Sequence, residues 1–166
     1  LISRTQLSPD AIDEVIMGNV LPAGVGQAPA RQALIYAGLP DSVESTTINK
    51  MCGSGLKAIM LSKQIILSGD SEVMVAGGME NMSLSPHVIL KSRTGIRLGH
   101  GKIVDTMIND GLWDVYGQTH MGNCAELCAE KYDFSREDQD QFAINSYKKS
   151  QKAQSDGIFK SEICPV

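Results

Sequence analysis

A strand-like run, Thr46-Thr47-Ile48-Asn49-Lys50-Met51, breaks into Gly53-Ser54-Gly55 and then changes period. Beyond the break, Leu56, Ala58, Ile59, Met60, Leu61, Ile65 and Ile66 recur at three- and four-residue spacing, which predicts a helix. A strand that feeds into a helix through a glycine-flanked turn points to a layered α/β arrangement. Cys52 stands in that turn. Backbone N–H groups converge at a helix start and the helix dipole is positive there, and both effects favour thiolate over thiol. The flanking glycines tolerate positive φ and let a substrate approach the backbone. Such a placement suits a nucleophile presented at a helix tip. From the local pattern alone, a small buried cysteine packing at a strand end fits equally well.

The same alternation extends through the first half of the chain. Ile12 to Val20 reads as a strand, Ala30 to Ala37 as a helix and Ser45 to Met51 as a strand. Ser54 to Leu67 is the helix behind the cysteine, and Glu72 to Ala76 is a buried strand. Turn residues punctuate each run, as in Gly38-Leu39-Pro40-Asp41 and Ser68-Gly69-Asp70-Ser71. An aromatic content of 5% with 16 glycines suits a tightly wound α/β fold better than an all-β sandwich. The 166 residues suffice for one domain with a real core.

After Met82 the character changes. Lys91 to Lys102 holds the basic residues Lys91, Arg93, Arg97 and Lys102, no acid, and Gly95, Gly99 and Gly101. It reads as an exposed excursion: a solvated loop, an oligomer contact or an anion-facing loop. It is not a phosphate-binding P-loop, because Ile103 follows Gly101-Lys102 and the glycine spacing is wrong. Met121 to Lys131 is predicted helical. A further helix starts at Ser135, where Ser135-Arg136-Glu137-Asp138 resembles a capping box with Asp in place of Glu or Gln, and it ends near Asp156-Gly157. Ile158 to Val166 is predicted to begin a returning strand.

Composition narrows the functional classes. A net charge of −4 gives no general attraction to nucleic acid or anionic membrane. No stretch of about 18 uncharged apolar residues offers a membrane span. The N-terminus lacks the basic flank and apolar run of a secretory signal. Leu1 is not an initiator methionine, so the chain is expected to begin inside a longer product. Four cysteines, Cys52, Cys124, Cys128 and Cys164, are sparse for a disulfide scaffold and read as reduced thiols of a cytoplasmic protein. Cys124 and Cys128, four apart on a helix, are expected to pack rather than bind metal. His87, His100 and His120 are too dispersed for a local metal site. The Asn81-Met82-Ser83 sequon is incidental without a secretory signal.

The wording around Cys52 is more specific than its pattern. Asn49-Lys50-Met51-Cys52-Gly53-Ser54-Gly55-Leu56-Lys57-Ala58 resembles the nucleophile segment of the thiolases, acyltransferases that join or split acyl-CoA by Claisen chemistry. Gly18-Asn19-Val20-Leu21-Pro22-Ala23-Gly24 followed by Gly26-Gln27-Ala28-Pro29-Ala30-Arg31-Gln32 is similar to a second family block. Val75-Ala76-Gly77-Gly78-Met79-Glu80-Asn81-Met82-Ser83 and His120-Met121-Gly122 with Ala125-Glu126 supply two more, in family order. The resemblance runs from end to end. It implies a thiolase-like layered α/β/α half-domain over 1–84, carrying the nucleophile, and part of an inserted loop domain over 85–166.

The resemblance also implies an activity and a site. Cys52 would be the nucleophile that becomes acyl-cysteine, its N–H serving as half of an oxyanion hole. His120 and Met121 would line the acyl and pantetheine pocket, as in the short-chain members, and Leu112 would contact coenzyme A. Without the resemblance, His120 reads as a histidine capping its own helix and Leu112 as core. The expected reaction is condensation of two acetyl-CoA to acetoacetyl-CoA, with coenzyme A thioesters as substrates and no cofactor or metal. The full-length protein is expected to be a homo-oligomer, dimer or tetramer. A degradative 3-ketoacyl-CoA thiolase of longer chain range is the near alternative, and a non-catalytic scaffold the distant one. The family's downstream Gly-His-Pro histidine and Cys-x-Gly-Gly cysteine do not occur here, so the chain alone is expected to be catalytically incompetent.

Overall fold

The computed structural model describes residues 1–165. Three parallel strands form its main sheet: β1 (Glu14–Gly18) in the centre, flanked by β2 (Glu44–Ile48) and β3 (Met74–Gly78). The central position explains the composition of β1. Val15 and Ile16 are neighbours in sequence, point to opposite faces, and are both buried, at 4% and 2% exposure. A strand covered on both faces has to be apolar on both.

The covers are the crossover helices. α2 (Pro29–Tyr36) opens on Pro29, whose missing N–H is no loss at a helix start. Its Leu34 packs into a core with Ile12, Val15, Leu39 and Val43. α3 (Ser54–Ser68) lies against the face to which Gly18 points, and Ala58 is its fully buried residue. Gly69, at φ 85°, ends α3 in the left-handed conformation that glycine adopts freely. From β1 one connection runs to β2 on one side, and the next returns past it to β3 on the other. Strand order β2-β1-β3 therefore puts the two helices on opposite faces.

All five elements predicted between Ile12 and Ala76 are present, with ends moved by up to three residues, and β3, expected to be buried, is half-buried with its last residue exposed. A helical turn, α1 (Ile2–Thr5), precedes them, with Ile2 packed against the core of the α2 face. The basic excursion is the exposed loop of a hairpin, β4 (His87–Ile89) with β5 (Ile103–Asp105). Thr106, buried at 2% exposure, closes its base through two hydrogen bonds to the Pro86 carbonyl. A π-helical turn, Met107–Leu112, follows.

The chain divides into two compact units, Leu1–Trp113 and a second from Asp114 onward. The second holds β7 (Thr119–His120), α4 (Met121–Lys131) and α5 (Arg136–Ser155), with Asp114 the last residue of β6 (Trp113–Asp114). The capping box at Ser135 forms as expected. Ser135 Oγ accepts from the Asp138 N–H at 3.1 Å, and the Asp138 carboxylate accepts from the Ser135 N–H at 3.3 Å. The returning strand predicted for Ile158–Val166 does not form among the described residues, which end before Val166. Local turns absorb the backbone instead. Lys160 N–H bonds Gly157, Glu162 and Ile163 N–H both bond Phe159, and Pro165 has no N–H to offer a ladder. Among the described residues no helix is long and apolar enough to cross a membrane.

Candidate active site

Register aligns Gly18 with Ile48 and with Gly78, so the three strands end abreast. The segments after them, 19–21, 49–53 and 79–81, emerge at one edge of the sheet. In open parallel sheets, ligands bind outside the carboxyl ends of the strands, where connections from the central strand diverge. Cys52 lies on that edge.

The turn carrying it is tightly braced. Met51 adopts φ 49°, a left-handed value that costs a residue with a side chain free energy and persists only where neighbours hold it. Asn49 Oδ1 accepts from the Met51 N–H at 2.9 Å. Ser54 Oγ accepts from the Lys50 N–H at 2.8 Å and donates to the Met51 carbonyl at 2.6 Å. The Gly53 and Ser54 N–H groups bond the Lys50 and Met51 carbonyls. Gly53 is the N-cap of α3, so Cys52 precedes the cap rather than lying in the first helical turn. Its side chain is exposed. Among the described residues, no hydrogen bond engages its sulfur and no acceptor meets its N–H. A free N–H beside a free thiol is the pairing that nucleophilic attack on a carbonyl requires, since the donor can meet the oxyanion that attack creates.

Small residues let the helix tip reach this edge. A Cβ on Gly18 would lie 2.6 Å from Ser54 Cβ and 2.8 Å from the Gly55 nitrogen. Only glycine at 18 permits that approach.

Opposite Asn49, a carboxylate fixes the segment after β1. Glu80 Oε2 accepts from the Val20 N–H at 2.7 Å. Its Oε1 accepts from the Leu21 N–H at 3.0 Å and from Asn19 Nδ2 at 2.8 Å. Asn19 Nδ2 also donates to the Met79 carbonyl at 3.1 Å. Glu80, Asn19 and Asn49 had no role assigned from sequence, although all lie in the thiolase-like blocks. Their signal is only a polar residue one or two positions beyond a strand end, which reads as ordinary turn chemistry.

The other expected site residues fall in two places. Leu112 ends the π-helical turn of the first unit and is half-buried; in the same turn, a Cβ on Gly111 would touch Leu21 at 3.4 Å. His120 and Met121 belong to the second unit. His120 is the N-cap of α4, and its Nδ1 accepts from the Gly122 N–H at 3.0 Å. A neutral ring held this way carries its proton on Nε2. Local capping therefore uses Nδ1 and leaves Nε2 uncommitted to the cap. Met121, the first residue of α4, is 41% exposed. All four cysteines are free, and Cys124 Sγ lies 3.9 Å from Asp114 Oδ2. Among the described residues no three His, Cys, Asp or Glu side chains cluster to hold a metal.

The family model for the thiolase N-terminal domain matches residues 1–166. The chain belongs to the thiolase family. This thiolase chain is 57% identical over 165 residues to an acetyl-CoA acetyltransferase of Cupriavidus necator, covering 99% of the chain and 42% of that relative. It is 55% identical over 166 residues to an acetyl-CoA acetyltransferase of Allochromatium vinosum, again spanning 42% of its length. A Staphylococcus aureus relative named a probable acetyl-CoA acyltransferase is 54% identical. The crystal structure of the Acat5 thiolase from Ascaris suum in complex with coenzyme A superposes with a TM-score of 0.94 at 42% identity, over 99% of this chain and 43% of that one. The thiolase-like α/β half-domain is thus the fold of this chain.

Proposed function

We propose that the complete thiolase carrying this chain is an acetyl-CoA acetyltransferase. It joins two acetyl-CoA into acetoacetyl-CoA and coenzyme A, and runs the reverse reaction. The observation that carries the reading is the exposed Cys52 thiol beside its own unengaged N–H, in a braced turn at the carboxyl edge of the sheet.

In the first half-reaction the Cys52 thiolate attacks the thioester carbonyl, and the Cys52 N–H donates to the oxyanion. Collapse expels the coenzyme A thiolate, which takes up a proton, and leaves acetyl-Cys52. In the second half-reaction another acetyl-CoA loses its α-proton and its carbanion attacks the acetyl-cysteine carbonyl. A carbon–carbon bond forms and the Cys52 thiolate departs. Sulfur suits this role because the intermediate is itself a thioester, reactive enough to pass the acetyl group on. The base for the α-proton is the second cysteine of the family's downstream segment. The substrates are coenzyme A thioesters, and no resident cofactor enters the proposal.

For His120, Met121 and Leu112 the proposed substrate-binding roles rest on the family resemblance. The Nε2–H of His120 donates to a substrate carbonyl, Met121 fills space beyond a short acyl group, and Leu112 flanks coenzyme A. The enzyme acts in the cytoplasm as a homo-oligomer, dimer or tetramer. The test is thiolysis of acetoacetyl-CoA by the complete enzyme, compared with a longer 3-ketoacyl-CoA. A preference for the longer substrate would transfer the assignment to a degradative 3-ketoacyl-CoA thiolase, and turnover of neither would leave a scaffold.

A further inference from the structure

We infer that Glu80 is a positioning residue for Cys52, acting through Val20 and Asn49 to preset the nucleophile's turn; this rests on the assignment of Cys52 as nucleophile.

The link is continuous. Glu80 Oε2 holds the Val20 N–H at 2.7 Å, and the Val20 carbonyl accepts from Asn49 Nδ2 at 3.4 Å. Val20 is therefore gripped at both ends of one residue. The same Asn49 amide turns its Oδ1 to the Met51 N–H at 2.9 Å, and Met51 precedes Cys52. The amide has one workable orientation here, because reversing it sets oxygen against the Val20 carbonyl and NH₂ against the Met51 N–H.

Glu80, though exposed, accepts more hydrogen bonds than a turn residue needs. Its two oxygens take three donors, from Val20, Leu21 and Asn19. Such charge-assisted bonds are roughly twice as strong as neutral ones. Asn19 is itself buried, with its Nδ2 spent on Glu80 and Met79 and its Oδ1 left without a partner. Its amide is committed to its donor end. The Glu80 end of the link is thus strong and the Asn49 end long, at the limit of hydrogen-bond distance. A shift of residues 19–21 breaks the weak end first. The Asn49 amide then loses its anchor on Val20, and with it the fixed direction of the oxygen that meets the Met51 N–H, so the left-handed φ of Met51 has less to hold it. Cys52 follows Met51, so its N–H and sulfur lose their preset direction.

The test uses the complete enzyme with Glu80→Gln, Asn49→Ala and the double variant. Two readouts are the rate of Cys52 alkylation by iodoacetamide and the kcat and KM for acetoacetyl-CoA thiolysis. Glu80→Gln turns an NH₂ toward backbone donors and is expected to slow alkylation and lower kcat by about tenfold or more, with KM within about twofold. Asn49→Ala, at an exposed side chain, is expected to do the same, and the double variant to be slower than the worse single by no more than about twofold. A purely structural role would instead multiply the two losses. Unchanged alkylation in folded Glu80→Gln, or multiplied losses in the double variant, overturns the inference. Should Glu80→Gln fail to fold, unchanged alkylation in Asn49→Ala overturns it alone. Iodoacetamide reports on the thiol without any acyl-CoA. Wild-type enzyme that alkylates at Cys52 but never forms acetyl-cysteine therefore defeats the proposed function and leaves the positioning link standing.

Discussion

A Cβ added to Gly18 would sit 2.6 Å from the Cβ of Ser54, closer than real side chains pack. The strand end and the helix tip below Cys52 are therefore in direct backbone approach. Gly18→Ala must push the start of α3 away, and with it the Ser54 hydroxyl that braces Lys50 and Met51. The expected cost is about 1–3 kcal/mol of stability, together with slower Cys52 alkylation. Urea denaturation and iodoacetamide kinetics check it, and an unchanged midpoint and rate would refute the packing argument.

Met121 is expected to set acyl-chain length. Trimming it should raise kcat/KM for a longer 3-ketoacyl-CoA relative to acetoacetyl-CoA by about 10-fold or more, the worth of a few methylenes in a pocket. The comparison is made with Met121→Ala in the complete enzyme. An unchanged ratio leaves Met121 as ordinary helix surface.

The purified 166-residue chain is expected neither to condense acetyl-CoA nor to cleave acetoacetyl-CoA at an enzyme-like rate. The family's Gly-His-Pro histidine and Cys-x-Gly-Gly cysteine, which ionise the thiol and move the α-proton, do not occur in this sequence. Robust turnover by the chain, purified free of host thiolase, would contradict this.

Much of this was legible in the sequence, for reasons that differ by region. The change of period around Cys52 marks the passage from strand to helix, so β2, α3 and the turn between them follow from pattern, although of the helix's apolar residues only Ala58 is buried here. Ser135 and Asp138 cap α5 through contacts three residues apart, which sequence displays. Glu80 reaches Val20 across 60 positions, and such contacts leave no periodic trace. The missing strand at Ile158 shows the converse: an apolar run predicts a strand only if a partner strand accepts it. For His120 the capping reading is the one the structure displays, because that contact spans only two residues.

Asp13 adds an acid-sensitive contact on the opposite edge of the sheet. Its carboxylate accepts the Val73 and Glu72 N–H groups, at 2.8 and 2.7 Å, and these hold its pKa below the ordinary 3.8. The folded state therefore favours the anion. The stabilisation is complete above pH 3.8 and is lost as pH falls through the lowered value. Melting temperatures measured from about pH 5 down to about pH 2 should fall less steeply for Asp13→Asn than for wild type. Parallel curves would remove Asp13 from the acid response.

The most direct test of the nucleophile is the site of the acetyl group. The complete enzyme is incubated with acetyl-CoA, quenched in acid and digested, and its cysteine peptides are read by mass spectrometry. The expected result is acetyl on the peptide containing Cys52, absent in Cys52→Ser and retained when Cys124, Cys128 or Cys164 is replaced by serine. An acetyl group on another cysteine, persisting in Cys52→Ser, would contradict the assignment.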